Sequence, residues 1–331
     1  MCAPEHRPYL LIAAILASAL GFIDGSIVAI ALPAMRMSLG ATLIEAQWIS
    51  NAYMLSLSAL ILVGGAAGDR FGLARVLGSG ITLFVLASMA CAFAPNASFL
   101  IVARAVQGLG AAFMVPGSLA LISRAYPKGE RGKAIGIWAA SAAVTSALGP
   151  IIGGVALTVG DHDVWRWIFA VNLPLGLLAL YFLFSKVVQD HSQPERGIDV
   201  IGGITAVLGL GLVAWALTGA EHGEAITWQA MMTGVGGLVV LACFVGIQLN
   251  SPHPMVPPSL FDSSCFTIAN IVSFAIYFSF DAILMYLPMI VIGGWGETEL
   301  VASAAYAPVS VFSAMLSGFS DRMAERFPKE F

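Results

Sequence analysis

GGAAGDRFGLAR, Gly64 to Arg75, is the densest polar knot in a chain that is otherwise almost all hydrocarbon. Asp69, Arg70 and Arg75 put three charges into seven residues, and apolar runs at 46–67 and 74–94 flank them on both sides. A helix needs about 20 apolar residues to cross the hydrocarbon at 1.5 Å per residue, so the knot reads as a tight turn at a membrane face. A weaker copy, LSGFSDRMAER, returns at Leu316 to Arg326. A charged turn between two spans, repeated later, is the pattern of a transporter built from related halves.

Composition agrees. The 331 residues are 59% hydrophobic and 10% charged, whereas soluble domains are roughly a quarter charged. No soluble core absorbs that much apolar surface, and the class is an all-α polytopic membrane protein. Ten runs follow one another at 9–32, 46–67, 74–94, 98–122, 134–158, 166–187, 200–219, 229–249, 266–292 and 300–319. The first continues too far past the ASALG near residue 19 to be the short core of a cleaved signal, and reads as an uncleaved helix. A polar joint at Gln189 to Asp199 and the Pro-rich NSPHPMVPPSLF at Asn250 to Phe261 divide the chain. The division predicts a six-helix bundle over 1–188, two linker spans over 189–262 and a last pair over 263–331.

Charge placement orients these spans. With the N-terminus inside, twelve Lys and Arg fall on inner loops, only Arg36 and Arg166 fall outside, and Arg104 lies within a span. Twelve against two predicts a cytoplasmic N-terminus in a cell inner (plasma) membrane. Trp48, Trp165, Trp167, Trp228 and Trp295 all lie near outer ends, where interface anchors belong.

Several classes are excluded. Cys2, Cys91, Cys243 and Cys265 form no CxxC pair and read as small buried hydrophobes. The five histidines sit between helices without ligand spacing, which predicts no metal site. No GxxxxGK[ST] loop is present, so a pump of this kind draws on a gradient and needs no cofactor. No nucleophile, base and orienter recur together outside the lipid, so the chain is not an enzyme, and nothing in it points to nucleic acid.

Arg104, in LIVARAVQGLGAA, is the most informative residue. A cation within a span costs a few kcal/mol at least and is nearly always paired. Asp24, in GFIDGSIVAIALP, is the natural partner: it lies about 22 Å in from the inner face and Arg104 about 9 Å in from the outer, which in a core of about 30 Å is one shared depth. A purely structural ion pair is the competing reading. Asp281, in YFSFDAILMYLP, is a second intramembrane acid at similar depth; it reads either as a titrating group or as a carboxyl that stays protonated inside the bundle. Gly149 and Gly153, in ALGPIIGG, lie four apart on one helix face, with Pro150 weakening the backbone ladder between them.

These stretches together resemble the major facilitator superfamily. Gly65, Asp69, Arg70 and Gly72 match its signature between the second and third helices, with Leu73 and Ala74 where a basic pair is usual and Arg75 following. The surroundings of Arg104, Gln107 and Gly108, and of Asp24, Ile27, Val28, Leu32 and Pro33, are similar to its fourth- and first-helix signatures. Gly149, Pro150, Gly153 and Gly154 resemble the signature of its antiporters. WISNAYML and WRWIFAVNLPLG resemble the fourteen-helix drug:proton antiporters, a subfamily that also has two helices between its halves. The resemblance implies proton-coupled export of drugs or other amphipathic organic compounds by alternating access. Asp24 then loads and releases the proton, because burial disfavours its ionised form and a nearby guanidinium favours it. Gly65, Asp69, Arg70, Gly72 and Arg75 form the gating loop. Tyr53, Gln107 and Trp138 are the candidates for lining the substrate cavity, through cation–π contacts for the two aromatics. The implied partners are the bilayer, a small organic substrate and protons.

Aligning Asp69-Arg70 with Asp321-Arg322 makes the tenth span the counterpart of the second, so the second half holds two of six helices and its bundle is incomplete. A chain truncated after ten helices, part of a longer protein, or one that pairs with a second copy or a longer relative are all compatible with this. A truncated non-transporting membrane protein or partner subunit, and an exporter of a sugar, peptide or metabolite, are the rival readings.

Overall fold

The computed structural model describes residues 4–160, 163–186, 199–218, 227–252, 254–305 and 308. The chain is all-α. Its helices are α1 (Arg7–Leu39), α2 (Leu43–Phe71), α3 (Leu73–Ala92), α4 (Ala97–Ala125), α5 (Lys128–Val159), α6 (Trp165–Ala170), α7 (Asn172–Lys186), α8 (Val200–Thr218), α9 (Trp228–Asn250), α10 (Ser264–Pro288) and α11 (Glu299–Ala304). Among the described residues, eight helices are long and apolar enough to cross a membrane, α6 and α7 together counting as one. α10 follows with 25 residues, its Ser264–Ser279 part a shorter apolar helix, and continues into one π-helical turn, Met289–Gly294. The expected tenth span, 300–319, begins as α11 and then lies outside the described residues, as do the second charged turn and the joint at 189–198.

Short, well-capped connections hold neighbouring helices antiparallel. Thr42 opens α2 with a capping box, its side chain accepting from the Glu45 N–H while Glu45 accepts from the Thr42 N–H. Asn96 opens α4 by accepting from the Phe99 N–H at 2.9 Å. Between α2 and α3 there is a single residue, Gly72, at φ 100°. Side chains rarely adopt that conformation, so the reversal needs glycine there.

α1 to α7 enclose the core, which falls into two apolar clusters. One holds Leu20, Tyr53, Phe84 and Met114; the other holds Ile27, Ile49, Cys91, Ala103 and Phe169. On α1 the break between them falls at Asp24, on α3 at Ser88 and on α4 at Arg104 to Gln107, so a polar layer crosses the bundle at one depth. α8 packs on α2 and on α9, with Trp48 and Trp215 rings 5.6 Å apart. α10 touches α1, and α11 packs on α5.

The expected sixth span is present as α6 and α7, joined through Val171, whose backbone stays in the right-handed helical region at φ −62°, ψ −22°. Two expectations need correction. Trp165 is fully buried against Phe169 and is no interface anchor, whereas Trp167, Trp228 and Trp295 are exposed. Of the cysteines, Cys91 is buried but Cys243 and Cys265 are exposed on helix surfaces, because α9 and α10 have few neighbours to cover them.

Candidate functional site

The polar layer is built around Arg104. Its Nη1 donates to Asp24 Oδ2 at 2.5 Å and to Gln107 Oε1 at 2.8 Å, and its Nε donates to the Ile49 carbonyl at 3.1 Å. The Tyr53 ring centroid lies 4.2 Å from its Cζ and the Phe169 ring 5.8 Å. Asp24 and Arg104 are each 1% exposed. Gln107 closes the ring, its Nε2 donating to Asp24 Oδ1 at 2.9 Å, and the Cys91 thiol donates to Gln107 Oε1 at 3.6 Å. A buried pair survives only when its remaining lone pairs and protons are also satisfied, and these neighbours supply that.

Local sequence explains why four helices meet here. Arg104 and Gln107 are three apart and share one face of α4. Gly108, next to them, lets α4 approach α2 so closely that a Cβ would run into the Tyr53 carbonyl; the same approach brings the Ile49 carbonyl within reach of Arg104. On the far side of α1, a Cβ on Gly149 would meet Ser26 Oγ and one on Gly153 would sit 3.0 Å from Ile27 Cγ2. Gly149, Pro150, Gly153 and Gly154 are all buried. The small face of α5 thus seats α1 within one turn of Asp24.

Two of the expected cavity residues, Tyr53 and Gln107, are sealed around Arg104, because the buried cation recruits every ring face and acceptor nearby. Trp138 instead donates its Nε1–H to Ser18 Oγ at 2.8 Å, and Ser18 bonds Ser118 at 2.8 Å, a second polar link nearer the N-terminal end of α1. An open groove of about 670 Å³ lies elsewhere, between α2, α8 and α10, and is lined by Gln47, Asn51, Ser58, Leu210, Phe278 and Tyr286 among others. Position 281 is helical in α10, and its side chain lies outside the described residues.

The charged turn is a separate site. Asp69 accepts from Arg124 Nη2 at 2.6 Å, which ties the end of α2 to the end of α4. Arg70 lies over the Phe71 ring at 5.5 Å. Of the glycines in this stretch, Gly64 is the one at a close helix approach, where a Cβ would clash with the Ala112 carbonyl; at Gly65 the nearest atom would be 4.0 Å away, and at Gly68 it is the flexible tip of Leu73 at 2.9 Å.

Sequence reasoning missed Arg124, Ser88 and Asn172. Asn172 and Ser88 join the layer: Asn172 Nδ2 donates to Ser88 Oγ at 2.9 Å and to Asp24 Oδ1 at 3.4 Å, and Ser88 donates to the Phe169 carbonyl at 2.9 Å. The signal was an amide inside an apolar span, which carries the cost that singled out Arg104 in milder form. Among the described residues no three His, Cys, Asp or Glu come together as metal ligands.

The sequence profile described as Major Facilitator Superfamily matches residues 14–331. The chain belongs to that superfamily. It is an integral multi-pass membrane protein. The methylenomycin A resistance protein of Bacillus subtilis (strain 168) is 29% identical over 327 residues, covering 96% of this chain and 68% of that protein. The multidrug resistance protein Stp of Mycobacterium tuberculosis is 32% identical over 300 residues, covering 89% and 55%. The methyl viologen resistance protein SmvA of Salmonella typhimurium is 33% identical over 240 residues, covering 72% and 48%. The chain thus spans about half to two thirds of the length of these facilitator relatives. Among solved structures, the partially occluded inward-open xylose transporter XylE from E. coli superposes with TM-score 0.61 at 15% identity, covering 98% of this chain and 74% of that one. A mutant of the peptide transporter POT in complex with alafosfalin gives 0.60 at 16%, covering 99% and 70%. Both show the fold.

Proposed function

We propose that this facilitator chain takes part in proton-coupled export of drugs or other amphipathic organic compounds by alternating access, in the manner of the fourteen-helix drug:proton antiporters. One observation carries the reading: a carboxylate and a guanidinium, both buried inside the helix bundle, bonded to each other and to neighbours in a layer where residues of α1, α2, α4 and α7 meet. With Asp24 ionised, the layer is charge-balanced and holds α1, α2 and α4 together. A proton arriving at Asp24 removes the anion that Arg104 needs, so the guanidinium seeks new acceptors and the helices that met at it repack. Loss of the proton on the other side resets the layer. The resistance named for three relatives supports a drug-class cargo, and the two linker helices α8 and α9 support the fourteen-helix subgroup.

In this scheme the N-terminus is cytoplasmic in the inner membrane, the 64–75 turn gates the inner side through Asp69 and Arg124, and the small face of α5 favours export. Asp281 in α10 is a second proton or cation group; Asp281→Asn should shift coupling or cation preference, and unchanged efflux at every pH would remove it from the mechanism. Pairing with another copy of this chain or with a longer relative is tested by mass in detergent. The mechanism itself is tested by comparing substrate-driven proton uptake for the wild type and Asp24→Asn in proteoliposomes. Loss of uptake is expected, and full exchange without the carboxylate would exclude it.

A further inference from the structure

Asn172 is the first residue of α7, directly after Val171, which joins it to α6, and is fully buried. Its Nδ2 is used twice, on Ser88 and on Asp24, while its Oδ1 has no hydrogen-bond partner among the described residues. An unmatched buried acceptor is costly, so its presence beside an intramembrane acid calls for a use. The charged and titratable groups facing Asp24 are Arg104 from α4, Tyr53 from α2 and Cys91 from α3. From α5, α10 and α11 no charged side chain among the described residues bonds it.

An ionised carboxylate only accepts, and all its partners here donate. Once protonated, Asp24 carries an O–H and needs an acceptor. Arg104 has none to offer, and Gln107 Oε1 is already taken by Arg104 Nη1 and by the Cys91 thiol. The amide oxygen of Asn172 is the acceptor with spare capacity. We propose that Asn172 is a positioning residue that reads the protonation state of Asp24 and passes it to the α6–α7 junction of the sixth span. When Asp24 gains its proton, the Asn172 amide turns over and its oxygen accepts from the Asp24 O–H. Ser88 then faces an acceptor instead of a donor and swings its own O–H from the Phe169 carbonyl to Asn172. The Phe169 carbonyl, beside the α6–α7 junction, loses its side-chain hydrogen bond. The inference rests on the reading that Asp24 takes up and releases a proton.

The test is hydrogen–deuterium exchange at residues 168–173 of the purified full chain in detergent, followed against pH and corrected for intrinsic exchange. In the wild type, exchange should step up by about fivefold as pH falls, the loss of one hydrogen bond. Asp24→Asn should hold one level at every pH. Asn172→Leu should abolish the step, and Ser88→Ala, which leaves Asn172 beside Asp24, should abolish it too. A wild-type step retained in both variants, or no step in the wild type, would overturn the proposal. Chain that shows the step but no proton-dependent efflux keeps the proposal and refutes the export reading; efflux without the step does the reverse.

Discussion

Arg104 is held by partners of three kinds, an anion, a carbonyl and an amide, with an aromatic face above it. Arg104→Ala should therefore abolish efflux and lower stability by about 3–5 kcal/mol, because it strands Asp24 as an unpaired buried charge; thermal unfolding in detergent measures the second effect. Arg104→Lys should rescue little, since a single ammonium on a flexible stem cannot reproduce the fork that reaches Asp24, Gln107 and Ile49 together. The pairing was legible in the sequence because an intramembrane charge demands a partner at its own depth. Tyr53 was legible only as an aromatic near the site, since nothing in its spacing says whether a ring lines a cavity or covers a cation. Asn172 was hidden inside WRWIFAVNLPLG, where one neutral amide raises the span's polarity too little to stand out.

At the scale of the helix, contact geometry separates glycines that look alike in the sequence. Gly64→Ala should weaken the α2–α4 packing and reduce folded yield, because its Cβ meets the Ala112 backbone, whereas Gly65→Ala should be tolerated. Equal effects of the two on thermal stability would contradict this. Gly72→Ala should cost about 1–3 kcal/mol through backbone strain at positive φ. Apolar run lengths made the spans legible because a helix in lipid must satisfy its own backbone. The junction of α6 and α7 at Val171 was not legible: no Gly or Pro marks it, and Pro174 already lies inside α7.

Over the whole molecule, the polar layer divides the bundle's apolar core into two clusters, so a change at Asp24 acts on the seam between two well-packed blocks rather than within one. That arrangement suits rigid-body rearrangement, since packed clusters move as units and rearrange at their boundary. Fold class and the order of the described spans were legible from composition and the lengths of the apolar runs. The lateral placement of α8 against α2, and of α11 against α5, was not, because lipid-facing and protein-facing helices are equally apolar. The most direct measurement is efflux of a cationic dye from energised cells expressing this chain, with and without a protonophore, for the wild type, Asp24→Asn and Arg104→Ala, with membrane insertion checked by blot. Efflux that the protonophore stops and both substitutions abolish is the predicted result. Efflux that persists without the gradient, or with Asp24→Asn, would contradict a proton-coupling role for the buried pair.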